Sequence, residues 1–167
     1  RDGNELIRGS VRMWDVYGEE LMRFEDSAGR QVSGRRFTTT PADTRRIAHK
    51  IADAIYSRLT GEDGYFDTRI VYIAETGPRN ARVKRLAIKD ADGANVKYLT
   101  SGAFTVLTPR FSPEAQQITY MSYEGGIPRV YLYDLRRARQ EVLGNFRSMT
   151  FAPRFSRDGE SVLLTQA

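Results

Sequence analysis

The chain has 167 residues, 40% apolar and 28% charged, which suits one ordinary globular domain or two small ones. It has no cysteine, which excludes a disulfide framework, a thiolate nucleophile and a cysteine-based zinc site. The formal charge of +5 is carried mostly by arginine, yet the densest basic stretch is only Arg136-Arg137-Ala138-Arg139. That dispersal reads as a solvated basic surface and not as a nucleic-acid-binding face. No apolar run approaches the roughly 18 residues of a membrane span. No signal peptide is visible, since the chain opens Arg1-Asp2-Gly3-Asn4; the signal of an exported parent is expected upstream of Arg1.

Residues 6–22 carry strand-like apolar positions at Val11, Met13 and Val16, a turn signal follows at Ser27-Ala28-Gly29-Arg30, and residues 31–39 read as a second strand. A hairpin is expected. Trp14-Asp15 matches a WD-repeat dipeptide, but it does not recur, and Trp14 is expected in a core. Thr40, Pro41 and Asp43 then read as a capping box with proline at the first helical position, so a helix is expected over Thr40–Thr60. Ile47, Ile51, Ala54, Ile55 and Leu59 recur at steps of three or four, an apolar stripe expected to pack on the hairpin. Gly61 supplies the stop. His49, the single histidine, falls off that stripe and has no second histidine or cysteine, so it reads as a surface residue and not as a metal ligand.

Beyond residue 63 the sequence repeats. Thr108-Pro109-Arg110-Phe111-Ser112-Pro113-Glu114 returns as Ala152-Pro153-Arg154-Phe155-Ser156-Arg157-Asp158, 44 residues later. At the same offset Leu99 maps to Leu143, Ile118 to Val162 and Asp90 to Asp134. An earlier partial copy begins at Ile70-Val71-Tyr72-Ile73. A period of roughly 40–45 residues made of short β-runs is that of a propeller blade, with four strands per unit. Residues 68–167 then hold a blade begun at its second strand, one complete blade and two strands of a third. Such a set cannot close a ring, so the chain is expected to be a piece of a longer one with exposed apolar blade faces.

Several stretches carry a family resemblance: Arg45-Arg46-Ile47-Ala48-His49, Ile51-Ala52-Asp53-Ala54-Ile55-Tyr56, Leu59-Thr60-Gly61, and Gly64-Tyr65-Phe66-Asp67-Thr68-Arg69-Ile70. Arg85-Leu86-Ala87-Ile88, Asp92-Gly93-Ala94-Asn95 and Pro109-Arg110-Phe111-Ser112-Pro113 extend it. In that order they resemble the TolB family over nearly the whole chain. The resemblance implies an α+β N-terminal domain (1–62), a linker (63–67) and an all-β partial, open propeller of six-bladed type (68–167). Two turns depart from the family pattern, with Glu114-Ala115 for Asp-Gly and Arg157 for Pro, and both are expected to alter turn geometry. The segment Tyr17–Gly29 is longer than the family pattern.

The resemblance also implies a periplasmic scaffold of the Tol-Pal system. It would bind the peptidoglycan-associated lipoprotein Pal through the propeller, and TolA through an N-terminal arm that lies before Arg1. The alternative is the gating propeller of a prolyl-oligopeptidase-like peptidase; an amphipathic helix running directly into the first blade favours the scaffold. No Gly-x-Ser-x-Gly elbow, P-loop or His-Glu-x-x-His occurs, so neither catalysis nor a cofactor is expected. Asp90-Ala91-Asp92-Gly93-Ala94-Asn95 opens like a calcium loop, but its twelfth position is Ser101 and not glutamate, so a tight turn is expected. The first strand of each blade lies nearest the propeller channel. The segments entering it, 105–110 and 147–154, lie at one mouth of that channel, where the resemblance implies that Pal docks, so Leu107, Thr108, Met149, Thr150 and Ala152 are the expected contacts, with Arg110 and Arg154 as charge partners.

Overall fold

The computed structural model describes residues 7–12, 24–25, 31–32 and 35–167. The chain forms two compact units, Arg1–Thr68 and Arg69–Ala167. In the first, β1 (Ile7–Val11) pairs antiparallel with β4 (Arg35–Thr39), Ile7 opposite Thr39 and Val11 opposite Arg35. A short ladder joins β2 (Phe24–Glu25) to β3 (Gln31–Val32). The expected second strand is thus occupied by β3 and β4. Trp14, the Ser27–Arg30 turn and most of the Tyr17–Gly29 segment lie outside the described residues.

The helix differs from expectation at its start. Pro41–Asp43 form a 3-10 turn, and α1 spans Thr44–Thr60. The Thr40 hydroxyl donates to Asp43 Oδ2 (2.8 Å) instead of accepting a backbone N–H, so the capping box is replaced by a link between the two side chains. The Asp43 N–H donates to the Thr40 carbonyl (3.1 Å), and the Thr44 hydroxyl donates to the same oxygen (3.2 Å). At the far end Gly61 takes φ 77° and its N–H reaches the Ser57 carbonyl, the left-handed stop that glycine adopts at little cost.

Ile47, Ile51 and Ile55 are half-buried, but Leu59 is 65% exposed and does not join the packed stripe. The chain returning from the helix packs on Tyr56 instead. Tyr65 and Phe66 stack on each other at 4.8 Å and meet the Tyr56 ring edge-on. Asp53 holds that return, its carboxylate accepting the N–H groups of Phe66 (2.6 Å) and Asp67 (3.1 Å). His49 is half-buried, less open than a surface residue would be.

The second unit is built of strands alone. A three-stranded antiparallel sheet contains β5 (Arg69–Thr76), β6 (Val83–Asp90) and β7 (Lys97–Tyr98). A four-stranded sheet follows with β8 (Val106–Phe111), β9 (Gln117–Ser122), β10 (Arg129–Asp134) and β11 (Arg139–Val142) in meander order. The hairpin of β12 (Thr150–Phe155) and β13 (Val162–Gln166) comes last. This succession is that of propeller blades. Leu86, Ile88, Val106, Ile118, Tyr120, Tyr131 and Tyr133 form one buried cluster, with Val71, Ile73, Leu99 and Phe111 packed against it. On the hairpin, Leu163 is 76% exposed.

The turns repeat with the strands. In the Asp90–Asn95 turn the Asp90 carboxylate accepts from Asn95 (2.6 Å) and that of Asp92 from the Ala94 N–H (3.0 Å). Both acids therefore brace the turn. Asp134 does the same for the N–H groups of Arg136 and Arg137, and these bonds hold its carboxyl below the usual carboxylate range. The turn after Ser112 and its counterpart after Ser156 differ in geometry. Gly159 turns at φ 71° with its N–H on the Ser156 carbonyl, whereas the matching Ala115 gives its N–H to the Ser112 hydroxyl.

Tyr120 sits at the centre of the cluster, 1% exposed, stacked on Tyr131 at 5.7 Å. Its hydroxyl donates to Gln140 (2.6 Å). Burial, and then the nearby Glu124 charge, push its phenol well above the ordinary value near 10. The neutral phenol therefore contributes stability that is present in full below about pH 10 and is lost as pH rises further. Stability of the full-length protein should fall less steeply between about pH 10 and 11.5 in Tyr120→Phe than in the parent, measured by urea unfolding.

Candidate functional site

β8 and β12 are the first strands of consecutive sheets, and β12 packs beside β8. Each carries the same irregularity. Leu107 opposes Met121 and Arg110 opposes Thr119, so Thr108 and Pro109 together face one residue; Phe151 opposes Thr165 and Arg154 opposes Leu163, so Ala152 and Pro153 do likewise. These are β-bulges. Proline is tolerated in them because a bulge interrupts the ladder and asks for no N–H there.

The residue before each proline is left-handed, Thr108 at φ 49° and Ala152 at φ 54°. That region is costly for any side chain and most costly for a β-branched one. The same strain therefore recurs after 44 residues. Backbone strain of this kind persists only where the surrounding structure over-determines it, and it clusters at binding sites.

The bulge sorts the side chains that follow. Phe111 and Phe155 are half-buried, Pro153 is buried, and Arg110 and Arg154 are exposed. Phe111 is held from outside by the Arg69 guanidinium, 5.8 Å above its ring, and Arg69 also donates to the Gln116 side chain. Arg154 donates back to the Pro153 carbonyl (3.3 Å). Among the described residues neither Arg110 nor Arg154 forms an ion pair with an acid. Leu107 is half-buried, Thr108 and Ala152 are exposed, and Met149 is 41% exposed.

Thr150 is the exception among the expected contacts. It is 1% exposed, and its hydroxyl accepts the N–H of Val130 in the neighbouring sheet (2.9 Å). Its own N–H donates to the Pro128 carbonyl (3.0 Å). The sequence places it one residue from exposed Met149, but the strand turns it inward, where it is a structural bond and not a surface. The arrangement has a counterpart one repeat earlier. The Leu86 N–H donates to the Thr100 hydroxyl (2.9 Å); Val106, the residue matching Thr150, has no hydroxyl to offer.

Two outcomes follow for the full-length protein. Thr150→Val keeps the shape but strands a buried N–H and should lower stability by about 1 to 3 kcal/mol, with Thr150→Ser retaining most of it, read by thermal unfolding. Thr108→Gly should raise stability by about 1 kcal/mol, and Ala152→Gly by less, because each relieves a left-handed residue. Midpoints of denaturant unfolding measure both.

The family model described as the TolB beta propeller domain matches residues 56–167. The Tol-Pal system protein TolB of Paramagnetospirillum magneticum is 55% identical over 145 residues, covering 87% of this chain and 30% of that protein. The crystal structure of TolB from Acinetobacter baumannii aligns with a TM-score of 0.72 at 34% identity, over 84% of this chain and 35% of that one. The chain thus spans about a third of the length of these relatives. With the repeated sheets, the matched residues and these identities together, the chain belongs to the TolB β-propeller family.

Proposed function

We propose that this chain is part of a non-enzymatic, periplasmic protein-binding scaffold of the Tol-Pal system. It works by binding the lipoprotein Pal, and through it helps maintain the outer membrane and draw it inward at cell division. The observation that carries this reading is the repeated bulge. It puts Arg110 and Arg154, neither ion-paired with an acid among the described residues, at matching positions on adjacent first strands. Guanidinium groups free of an internal acid are available for bidentate contacts to carboxylates of a partner.

Leu107, Thr108, Met149 and Ala152 flank them as the proposed contact surface; Thr150 belongs behind it. TolA binding is proposed for an N-terminal arm of the full-length protein. Among the described residues no helix is long and apolar enough to cross a membrane.

Charge reversal at Arg110 and Arg154 in the full-length protein tests the reading by titration with Pal. An arginine anchor that loses water on docking is worth about 2 kcal/mol or more, so each reversal should weaken binding by tenfold or more with the unfolding midpoint unchanged. Unchanged affinity in a folded double variant removes the arginines from the interface.

A further inference from the structure

Apart from the bulges, the second unit contains a cavity of about 280 Å³ beside the seam between the β5–β7 and β8–β11 sheets. One wall is the connection from Leu99 to Val106. The other is the face of the four-stranded sheet, with Tyr120, Tyr133 and Gln140. The connection is fixed in place. Gly102 lies at φ 87°, and a Cβ there would stand 2.5 Å from Val83 Cγ1, so the chain can press against β6 only with glycine at this position.

Among the described residues Glu124 is the one charged residue that lines this cavity, and no lysine, arginine or histidine does. The nearby Arg85 is committed elsewhere, donating to the Ser101 carbonyl (3.0 Å) and lying 5.3 Å over the Tyr98 ring. The hydrogen bonds along the wall run in one direction. The Tyr120 hydroxyl donates to Gln140 Oε1 (2.6 Å), which fixes the amide so that Nε2 donates to Glu124 Oε2 (3.1 Å). The Ser122 hydroxyl oxygen accepts the Glu124 N–H (3.2 Å). This run of bonds ends on a half-buried carboxylate, which only accepts, and among the described residues the one bond it receives comes from a neutral amide. A carboxylate so placed is best satisfied by a cation that also donates hydrogen bonds. At the rim stands Phe104, 48% exposed, with the rings of Tyr120 and Tyr133 further in, and aromatic surfaces favour organic cations.

We propose that this cavity binds the ammonium head of an alkylamine, with Glu124 as its counter-ion, the Tyr120–Gln140 pair holding that carboxylate in place and Phe104 covering the alkyl stem. The site is independent of the Pal-binding surface proposed above, since none of the bulge residues lines it. The amine is either a free alkylamine or a lysine side chain of a protein, and the chemistry at Glu124 is the same for both.

The test is a titration of the full-length protein, followed by NMR shifts of the cavity amides, with n-pentylammonium, Nα-acetyl-lysine methylamide and neutral 1-pentanol. Saturable binding of an amine is expected, with 1-pentanol at least about tenfold weaker, the size of one charge-assisted bond. Tighter binding of the lysine derivative identifies a protein side chain, and tighter binding of pentylammonium a free amine. Glu124→Gln should lose about tenfold with its unfolding midpoint retained, and the exposed substitution Phe104→Leu should weaken binding severalfold. Absence of saturable amine binding overturns the proposal. So does equal binding of the alcohol, or amine binding unchanged in both variants.

Discussion

A strand covered on both faces has no water with which to satisfy a stray amide, and the second unit is organised by that constraint. Ile118, Thr119, Tyr120, Met121 and Ser122 of β9 are all buried; Ile118 and Tyr120 share a core cluster with Leu86 and Ile88 of the preceding sheet, and β9 also packs against β12 of the following hairpin. The difficulty arises where the outer strand of a sheet leaves to begin the next. β7 and β11 peel away after Tyr98 and Val142, once Leu99 and Leu143 have donated to the carbonyls of Leu86 and Val130. The N–H groups of Leu86 and Val130 are then left over, and threonine hydroxyls take both. The connection between sheets is thereby held by a hydrogen bond as well as by apolar contact.

That solution is carried out differently at the two seams. At the first, the hydroxyl comes from Thr100, in the connection just after β7. At the second it comes from Thr150, inside the first strand of the next sheet. The second arrangement ties the start of β12 directly to β10, with the Thr150 N–H on the Pro128 carbonyl as a further link. The strained bulge begins two residues later. Ala152 is therefore forced into its left-handed conformation between a buried hydrogen-bonded threonine and a buried proline, which is how a fold holds a costly backbone in place.

The same economy appears at the end of α1. Asp53 lies off the apolar stripe, where a charged residue ordinarily faces water, yet its carboxylate gathers the Phe66 and Asp67 N–H groups. Gly64 allows this approach, since a Cβ there would come within 2.4 Å of Asp53 Cα. The aromatic group of Tyr56, Tyr65 and Phe66 then closes over the return. An acidic side chain on the polar face of a helix thus serves the backbone of a later turn.

The sequence by itself determined the succession of elements. The helix stripe from Ile47 to Ile55, its glycine stop at Gly61 and the 44-residue recurrence of Pro-Arg-Phe-Ser depend on local periodicity and turn chemistry, which any reader of the chain can count. It also separated Phe111 and Phe155, which pack, from Arg110 and Arg154, which do not, because strand alternation sends neighbours to opposite sides. Only the tertiary structure decided the rest. Local signals named Thr40 and Asp43 as a cap, but their side chains bond each other. They named Leu59 as packed, but the returning aromatics choose Tyr56. They named Thr150 as surface, but an amide 20 residues away in another sheet claims its hydroxyl. The Glu124 cavity had no motif at all, since Tyr120, Glu124 and Gln140 meet only when three strands are laid side by side. For Thr150 and for the Glu124 cavity the deciding partner lies 16 to 20 residues away in sequence, and which donor meets which acceptor is settled there by packing, not by pattern.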